Sequence, residues 1–230
     1  ATQIMLGARL RDLGYGTGLL TPPPYVAIKA PVFSFEKLGL VDTSLGPEMK
    51  STGEVLGIGK TYEEALYKVV VAAGLRLPSS GRVLISVADK DKQEVGPLAH
   101  DLAQMGFELL GTHDTANFMR ECGIPAVDVY NPGEGIPNVI DLIRQGEISL
   151  IVNTPTHGHR PETTGFKIRR AAVEYRVPCL TSLDTARAVI SVMRAWRGGR
   201  EPSVRSLNEY IEEFNKVKGF LPYEGVMESW

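Results

Sequence analysis

Cysteine is almost missing from this chain: Cys122 and Cys179 are the only two in 230 residues, far apart and in no C-x-x-C pair. That excludes a disulfide framework and a cysteine-built zinc site, and it fits a reducing, cytoplasmic compartment. Histidine is nearly as scarce. His100, His113, His157 and His159 make no convincing ligand set, and His157-Gly158-His159, in a Gly- and Pro-rich loop, reads as a surface pair, so no metal ligand is expected. No run of about eighteen apolar residues occurs, which argues against a transmembrane helix. Charge of one sign is also lacking: 25 Lys and Arg stand against 27 Asp and Glu, net −2, with no basic stripe. Nucleic acid is therefore not an expected partner, since phosphate-backbone binding needs clustered cations. Nothing at the start reads as a targeting peptide. The chain opens at Ala1, already inside an expected helix from Thr2 to Leu13, so a piece of a longer polypeptide is expected.

What is present is 43% hydrophobic residues, enough for a buried core in one or two domains. Residues 1–79 read as a small α+β unit. They hold the Pro-rich turn Thr21-Pro22-Pro23-Pro24, short strand candidates at Tyr25–Lys29 and Val32–Phe35, a Gly-rich stretch at 46–59 and a helix opened by the capping box Thr61-Tyr62-Glu63-Glu64. Pro78-Ser79-Ser80-Gly81 reads as a linker. In residues 80–230, strands at Val83–Val87, Phe107–Leu110, Ala126–Tyr130, Ser149–Asn153 and Cys179–Thr181 alternate with helical stretches at Gln93–Met105, Ile136–Arg144, Phe166–Tyr175 and Ser182–Trp196. The fold class expected is α/β, a five-stranded parallel doubly wound sheet. A last helix, Ser206–Val217, opens on the box Ser206-Leu207-Asn208-Glu209 and packs back through Tyr210, Ile211 and Phe214 or meets a partner.

Lys92 and the segment Gly111-Thr112-His113-Asp114-Thr115-Ala116 flank neighbouring strand ends, which a parallel sheet brings to one edge. One cation and two hydroxyls at the start of a helix opened by Thr115 suit a phosphate. The alternative is that Thr112 and Thr115 only cap that helix. His113 donates to a phosphate oxygen when protonated, with binding tightening toward about pH 6, or else packs at the rim. Asp114 reads as a cap or solvent-facing acid, and Asp89 as a partner that orients Lys92 or opposes an anion.

Leu45-Gly46-Pro47-Glu48-Met49-Lys50-Ser51-Thr52-Gly53-Glu54-Val55, followed by Gly57-Ile58-Gly59, closely resembles the segment ending the second ATP-grasp half of the carbamoyl-phosphate synthetase large subunit. Ala1-Thr2-Gln3-Ile4-Met5-Leu6-Gly7 is similar to the stretch just upstream in that family, and Val26-Ala27-Ile28-Lys29-Ala30-Pro31 to the strand between. From Gly81 onward the chain resembles that subunit's C-terminal domain, whose fold is shared with methylglyoxal synthase, through Leu84-Ile85-Ser86-Val87, Gly106-Phe107-Glu108-Leu109, Thr112-His113, Gly123-Ile124, Ile151-Val152-Asn153-Thr154 and Ile168-Arg169-Arg170-Ala171. The resemblance spans residues 1 to about 197 and makes residues 1–79 an ATP-grasp tail and residues 80–230 an allosteric domain with a helical extension.

What the resemblance implies is regulation. The family makes carbamoyl phosphate from bicarbonate, glutamine-derived ammonia and ATP, for pyrimidine and arginine biosynthesis, and bacterial members bind UMP as inhibitor and IMP as activator in this domain. Carried over by motif, Lys92, Thr112 and Thr115 take the effector phosphate, and Ser86, His113, Asn131, Asn153 and Thr154 belong to its pocket. No catalytic residue and no cofactor are implied in this chain, because the Mg-holding residues of the ATP-grasp half lie upstream; ATP and Mg²⁺ belong to the full enzyme. The implied partners are the rest of the large subunit, the glutaminase small subunit and the effector, with the oligomeric state open.

Departures carry their own expectations. Asn131 stands where well-studied members have a second phosphate lysine, so affinity is expected to fall unless Arg160, Lys167 or a backbone nest compensates. Pro155 stands where the family often has a hydroxyl. At the ornithine site Ala27 replaces an acid and Cys179 a tyrosine, leaving Thr181, so ornithine control is expected to be weak or absent. The alternative reading is a stand-alone lyase of the methylglyoxal synthase type, but its Asp-Pro base is replaced by Asn153-Thr154-Pro155, and Asn accepts no proton at neutral pH.

Overall fold

The computed structural model describes residues 1–14, 19, 22–34, 49–155, 163–197 and 202–216, with backbone alone for 214 and 215. The chain opens on helix α1 (Thr2–Met5) and a 3-10 turn at Leu10–Leu13, not the single helix expected over Thr2–Leu13. Gly7, at φ +100°, breaks it, and Ile4, Met5, Leu6 and Leu10 stay exposed, so no burial sustains further turns. Strand β1 (Val26–Val32) runs antiparallel to β2 (Gly53–Gly59) as a two-stranded sheet. The two strands expected at Tyr25–Lys29 and Val32–Phe35 are thus one, crossing Pro31; each strand of a two-stranded sheet has an unpaired edge, the setting that tolerates proline. Phe35 and Glu48 lie outside the described residues.

Helix α2 (Tyr62–Ala72) packs on β2 through Ala65 and Val69, and Gly57 makes the approach possible, since a Cβ there would collide with the Ala65 carbonyl and the Val69 side chain. Then follow β3 (Arg82–Ser86), α3 (Lys92–Gln104), β4 (Glu108–Thr112), α4 (His113–Glu121), β5 (Val127–Val129), α5 (Val139–Arg144), β6 (Ile148–Asn153), α6 (Thr164–Glu174), β7 (Cys179–Leu180), α7 (Leu183–Trp196) and α8 (Leu207–Lys216). Helix α5 begins at Val139, three residues later than the pattern suggested at Ile136, behind its cap Asn138, whose side chain accepts from the Ile140 and Asp141 N–H groups. Helix α4 is likewise opened by Thr112 and not by Thr115, which sits inside the first turn.

Strands β3 to β7 form one parallel sheet in the order β5-β4-β3-β6-β7. Side chains alternate across it. Val83, Ile85, Leu109 and Val152 enter one core with Val95, Leu98, Ala99 and Leu102 of α3 and Ala186, Val189, Ile190 and Met193 of α7. Leu84, Leu110 and Ile151 enter the other with Leu142 and Ile143 of α5 and Ile168, Ala171 and Ala172 of α6. Both faces are therefore covered, and the sheet is doubly wound as the strand–helix alternation implied. The strand order reverses between β3 and β6, so the loops leaving their carboxyl ends diverge and open a crevice there.

Candidate functional site at the carboxyl ends of the sheet

The crevice is a cleft of about 230 Å³. The end of β3 lines it with Ser86, Val87 and Ala88, the β4–α4 junction with Thr112, His113 and Asp114, and the end of β6 with Asn153 and Thr154. Asn131, after β5, and Thr163, Thr164 and Gly165 at the start of α6 complete the wall. Two helices of useful length thus aim their amino ends at one space, and their free N–H groups and dipoles favour negative charge. At α4 the cap residue Thr112 makes no side-chain cap bond, and its hydroxyl donates to Ser86 Oγ at 3.3 Å instead. At α6, Thr163 Oγ1 accepts from the Phe166 N–H at 3.4 Å.

Hydroxyls around the β3 loop hold its backbone. The Ala88 N–H donates to Thr154 Oγ1 at 3.0 Å, and the Val87 N–H to Thr115 Oγ1 at 3.5 Å. Each hydroxyl then acts as acceptor and keeps its own hydrogen for another partner. Thr115 is only 2% exposed and stands behind the loop, outside the lining of the cleft. Close approach of α4 to β4 comes from Gly111, where a Cβ would lie 2.8 Å from the Ala116 nitrogen.

Six of the sequence-derived site residues, Ser86, Thr112, His113, Asn131, Asn153 and Thr154, line this one cleft, whereas Lys92, Thr115 and Thr181 do not. Lys92 opens α3 beside the β3 loop, and its Nζ lies 2.7 Å from Asp89 Oδ1. Asn131 gives both its backbone N–H and its Nδ2 to Glu134 Oε2, at 3.0 and 2.9 Å. A carboxylate therefore stands next to the position where the resemblance implied a cation. Lys167 is exposed, and Arg160 lies outside the described residues, as do His157 and His159.

His113 is held at both nitrogens. Arg120 donates to Asn117 Oδ1, Asn117 Nδ2 to His113 Nε2 at 3.1 Å, and the remaining Nδ1–H faces Asp128 Oδ2 at 2.7 Å. In this arrangement the ring stands at the rim of the cleft with both nitrogens engaged by protein partners. Of the ornithine positions, Thr181 follows β7 and Ala27 lies on the exposed face of β1. Among the described residues no group of three or more His, Cys, Asp or Glu is placed to hold a metal, and no helix is long and apolar enough to cross a membrane.

Residues 94–181, from the first turn of α3 to just past β7, match the MGS-like domain family. The carbamoyl phosphate synthase large chain of Thermoanaerobacter sp. (strain X514) is 45% identical over 212 residues, 92% of this chain and 19% of that protein. The large chain of Clostridium perfringens (strain SM101 / Type A) is 47% identical over 208 residues, 90% of this chain and 20% of that one. The chain belongs with the C-terminal, MGS-like part of the carbamoyl phosphate synthase large chain. It spans about a fifth of the length of these curated relatives. A solved methylglyoxal synthase from Elizabethkingia anophelis NUHP1 superposes with a TM-score of 0.42 at 20% identity, covering 50% of this chain and 80% of that one.

Two parts of this cleft escaped the sequence reading. Thr163-Thr164-Gly165 enters it as the start of α6, and the threonine cap ahead of an apolar-periodic helix was the available signal. Arg169 was quoted only as part of a motif. It is 4% exposed, and its Nη1 donates to Asn153 Oδ1 at 2.8 Å.

Proposed function

We propose that this chain is the allosteric portion of a carbamoyl-phosphate synthase large subunit, with the cleft as the seat of a nucleoside monophosphate effector of the UMP or IMP type. One observation supports this best: hydroxyls of Ser86 and Thr154 and the amino ends of α4 and α6 converge on a single cleft at the switch point of the sheet. That is the chemistry of an anion site. In this reading Lys92 exchanges Asp89 for the guest's phosphate, and the effector shifts activity by binding one arrangement of the subunit better than another. ATP, Mg²⁺ and the synthetic steps belong to the rest of the large subunit, which works with the glutaminase small subunit in the cytoplasm. Carbamoyl phosphate made this way serves pyrimidine and arginine synthesis.

Calorimetric titration of the chain with UMP, IMP and inorganic phosphate tests the reading. Saturable binding of at least one is expected, weakened about tenfold or more by Lys92→Ala through loss of a charge-assisted contact. In the complete enzyme the same substitution is expected to remove nucleotide regulation and leave unregulated synthesis in place. No heat with any of the three ligands would reject the effector assignment.

A further inference from the structure

Asn153 lies at the end of β6 on the floor of the cleft, and both of its side-chain polar atoms are engaged. Oδ1 accepts from Arg169 Nη1 at 2.8 Å, and Nδ2 donates to the Ser86 carbonyl oxygen at 2.8 Å. An amide is ambiguous only while its partners are, and here neither is. A guanidinium has donors alone and a carbonyl oxygen accepts alone, so the amide has one orientation. The bond is also sterically enclosed. A Cβ on Gly165 would lie 3.2 Å from Arg169 Nη1 and 3.3 Å from Asn153 Oδ1, tight enough to press on the pair.

We infer that Arg169 is a positioning residue of the cleft, which turns the Asn153 amide so that its unused N–H hydrogen, and not its oxygen, is available to a guest. The inference rests on the anion-effector reading and narrows it. Ser86 Oγ accepts from Thr112, and Thr154 Oγ1 from the Ala88 N–H, so their hydrogens are likewise free to donate. With the amino ends of α4 and α6, the floor of the cleft and its two helix starts then offer hydrogens, while Asp114 and Asn131 stand at the remaining side. The cleft selects a guest dense in acceptors, such as phosphate oxygens or a base carbonyl, and disfavours one presenting N–H groups there. The same chain of bonds, Arg169 to Asn153 to the Ser86 carbonyl, ties the ends of β6 and β3 together across the point where the strand order reverses.

The test uses the full chain and three variants. Wild type is expected to show one Asn153 Nδ2 hydrogen exchanging slowly and its geminal partner faster, in ¹⁵N-resolved NMR spectra. Arg169→Met is expected to erase that difference and to weaken inorganic phosphate binding about fivefold, with Arg169→Lys recovering most of both. Gly165→Ala keeps the arginine, presses on the same bond, and is expected to shift the Asn153 amide in the same direction; it decides the matter should Arg169→Met fail to fold. An unchanged amide signature and unchanged phosphate affinity in Arg169→Met would overturn the inference. A wild-type chain that takes up no phosphate would remove the effector reading instead, and the amide signature would still decide whether Arg169 anchors Asn153.

Discussion

Lys92 illustrates how far a single residue's partners modify its apparent role. Its position at the start of α3 was legible from the strand–loop–helix pattern, because a lysine six residues past Ser86 must follow the β3 loop. Its pairing was only partly legible: Asp89, three residues earlier, was recognised as a candidate to orient it, and the structure places the two charges 2.7 Å apart. The Asp89 side chain is 90% exposed, so water screens the pair and the contact is worth under about 1 kcal/mol. An anion must still compete with it. Asp89→Asn is therefore expected to tighten inorganic phosphate about two- to fivefold in calorimetry. An unaltered affinity would show that Asp89 does not compete with the anion for Lys92. Arg169 was opaque for the opposite reason: it meets Asn153 across sixteen residues of sequence, and no local spacing announces that contact.

Among the elements, α2 is attached both to the two-stranded sheet and to α7. Ala65 and Val69 face β2, Val70 joins the core beneath α7, and Tyr67 stacks on Trp196 with ring centroids 4.8 Å apart. Two of its polar side chains, Glu64 and Lys68, meet the C-terminal segment. Lys68 Nζ lies 3.0 Å from Glu64 Oε1, 3.1 Å from Tyr210 Oη and 2.7 Å from the Ile58 carbonyl oxygen, while Ser203 Oγ donates to Glu64. The buried Tyr210 ring meets Tyr25 edge-on at 5.7 Å, with the Arg205 guanidinium 4.9 Å from its centroid. The boxes at Thr61 and Ser206 were readable in advance, and both hydroxyls accept from the predicted N–H groups, of Glu64 and Glu209. Where the last helix docks was not readable, since an amphipathic stripe names no surface.

This contact has a pH signature. Partial burial by itself would raise the Glu64 carboxyl, but hydrogen bonds from Ser203, the Lys60 N–H and Lys68 outweigh it and hold the group at about 2, against an ordinary 4.5. The unfolded chain therefore binds the proton more readily. Stability contributed by Glu64 is complete above about 4.5 and drains away as pH falls toward about 2. Lys68 is opposite in sense: burial would lower it, yet its bonds to Tyr210 and Glu64 raise it above its ordinary 10.5, so its contribution fades only in strong base. Thermal unfolding followed from pH 6 to pH 2 is expected to fall less steeply for Glu64→Gln than for wild type; parallel curves would mean the carboxylate contributes nothing.

At the scale of the whole molecule, the question is how the β1–β2–α2 unit is kept on the five-stranded sheet. The segment from Ser203 to Tyr210 crosses back to β2 and α2, closing the chain on itself after α7. Ending the chain after Arg197 is expected to raise amide exchange throughout β1, β2 and the first turns of α2, while β3 and β6 keep their protection. Equal loss in all of them would mean that the chain unfolds as one cooperative body.

Family resemblance assigned Asn153 and Thr154 to the site, whereas sequence pattern by itself determined the alternation of strands and helices, the two covered faces of a parallel sheet, and the meeting of the loops of Ser86 and Thr112 at one edge. Those follow from local periodicity and from the right-handed crossover, which sends every strand's carboxyl end the same way. Tertiary structure alone decided that Thr115 faces the loop and not the cleft, that α6 adds its amino end to the wall, that Arg169 orients Asn153, and that Tyr210 settles on β2. Each of these depends on which distant side chains touch and which hydrogens remain unclaimed, and packing sets that after the elements have met.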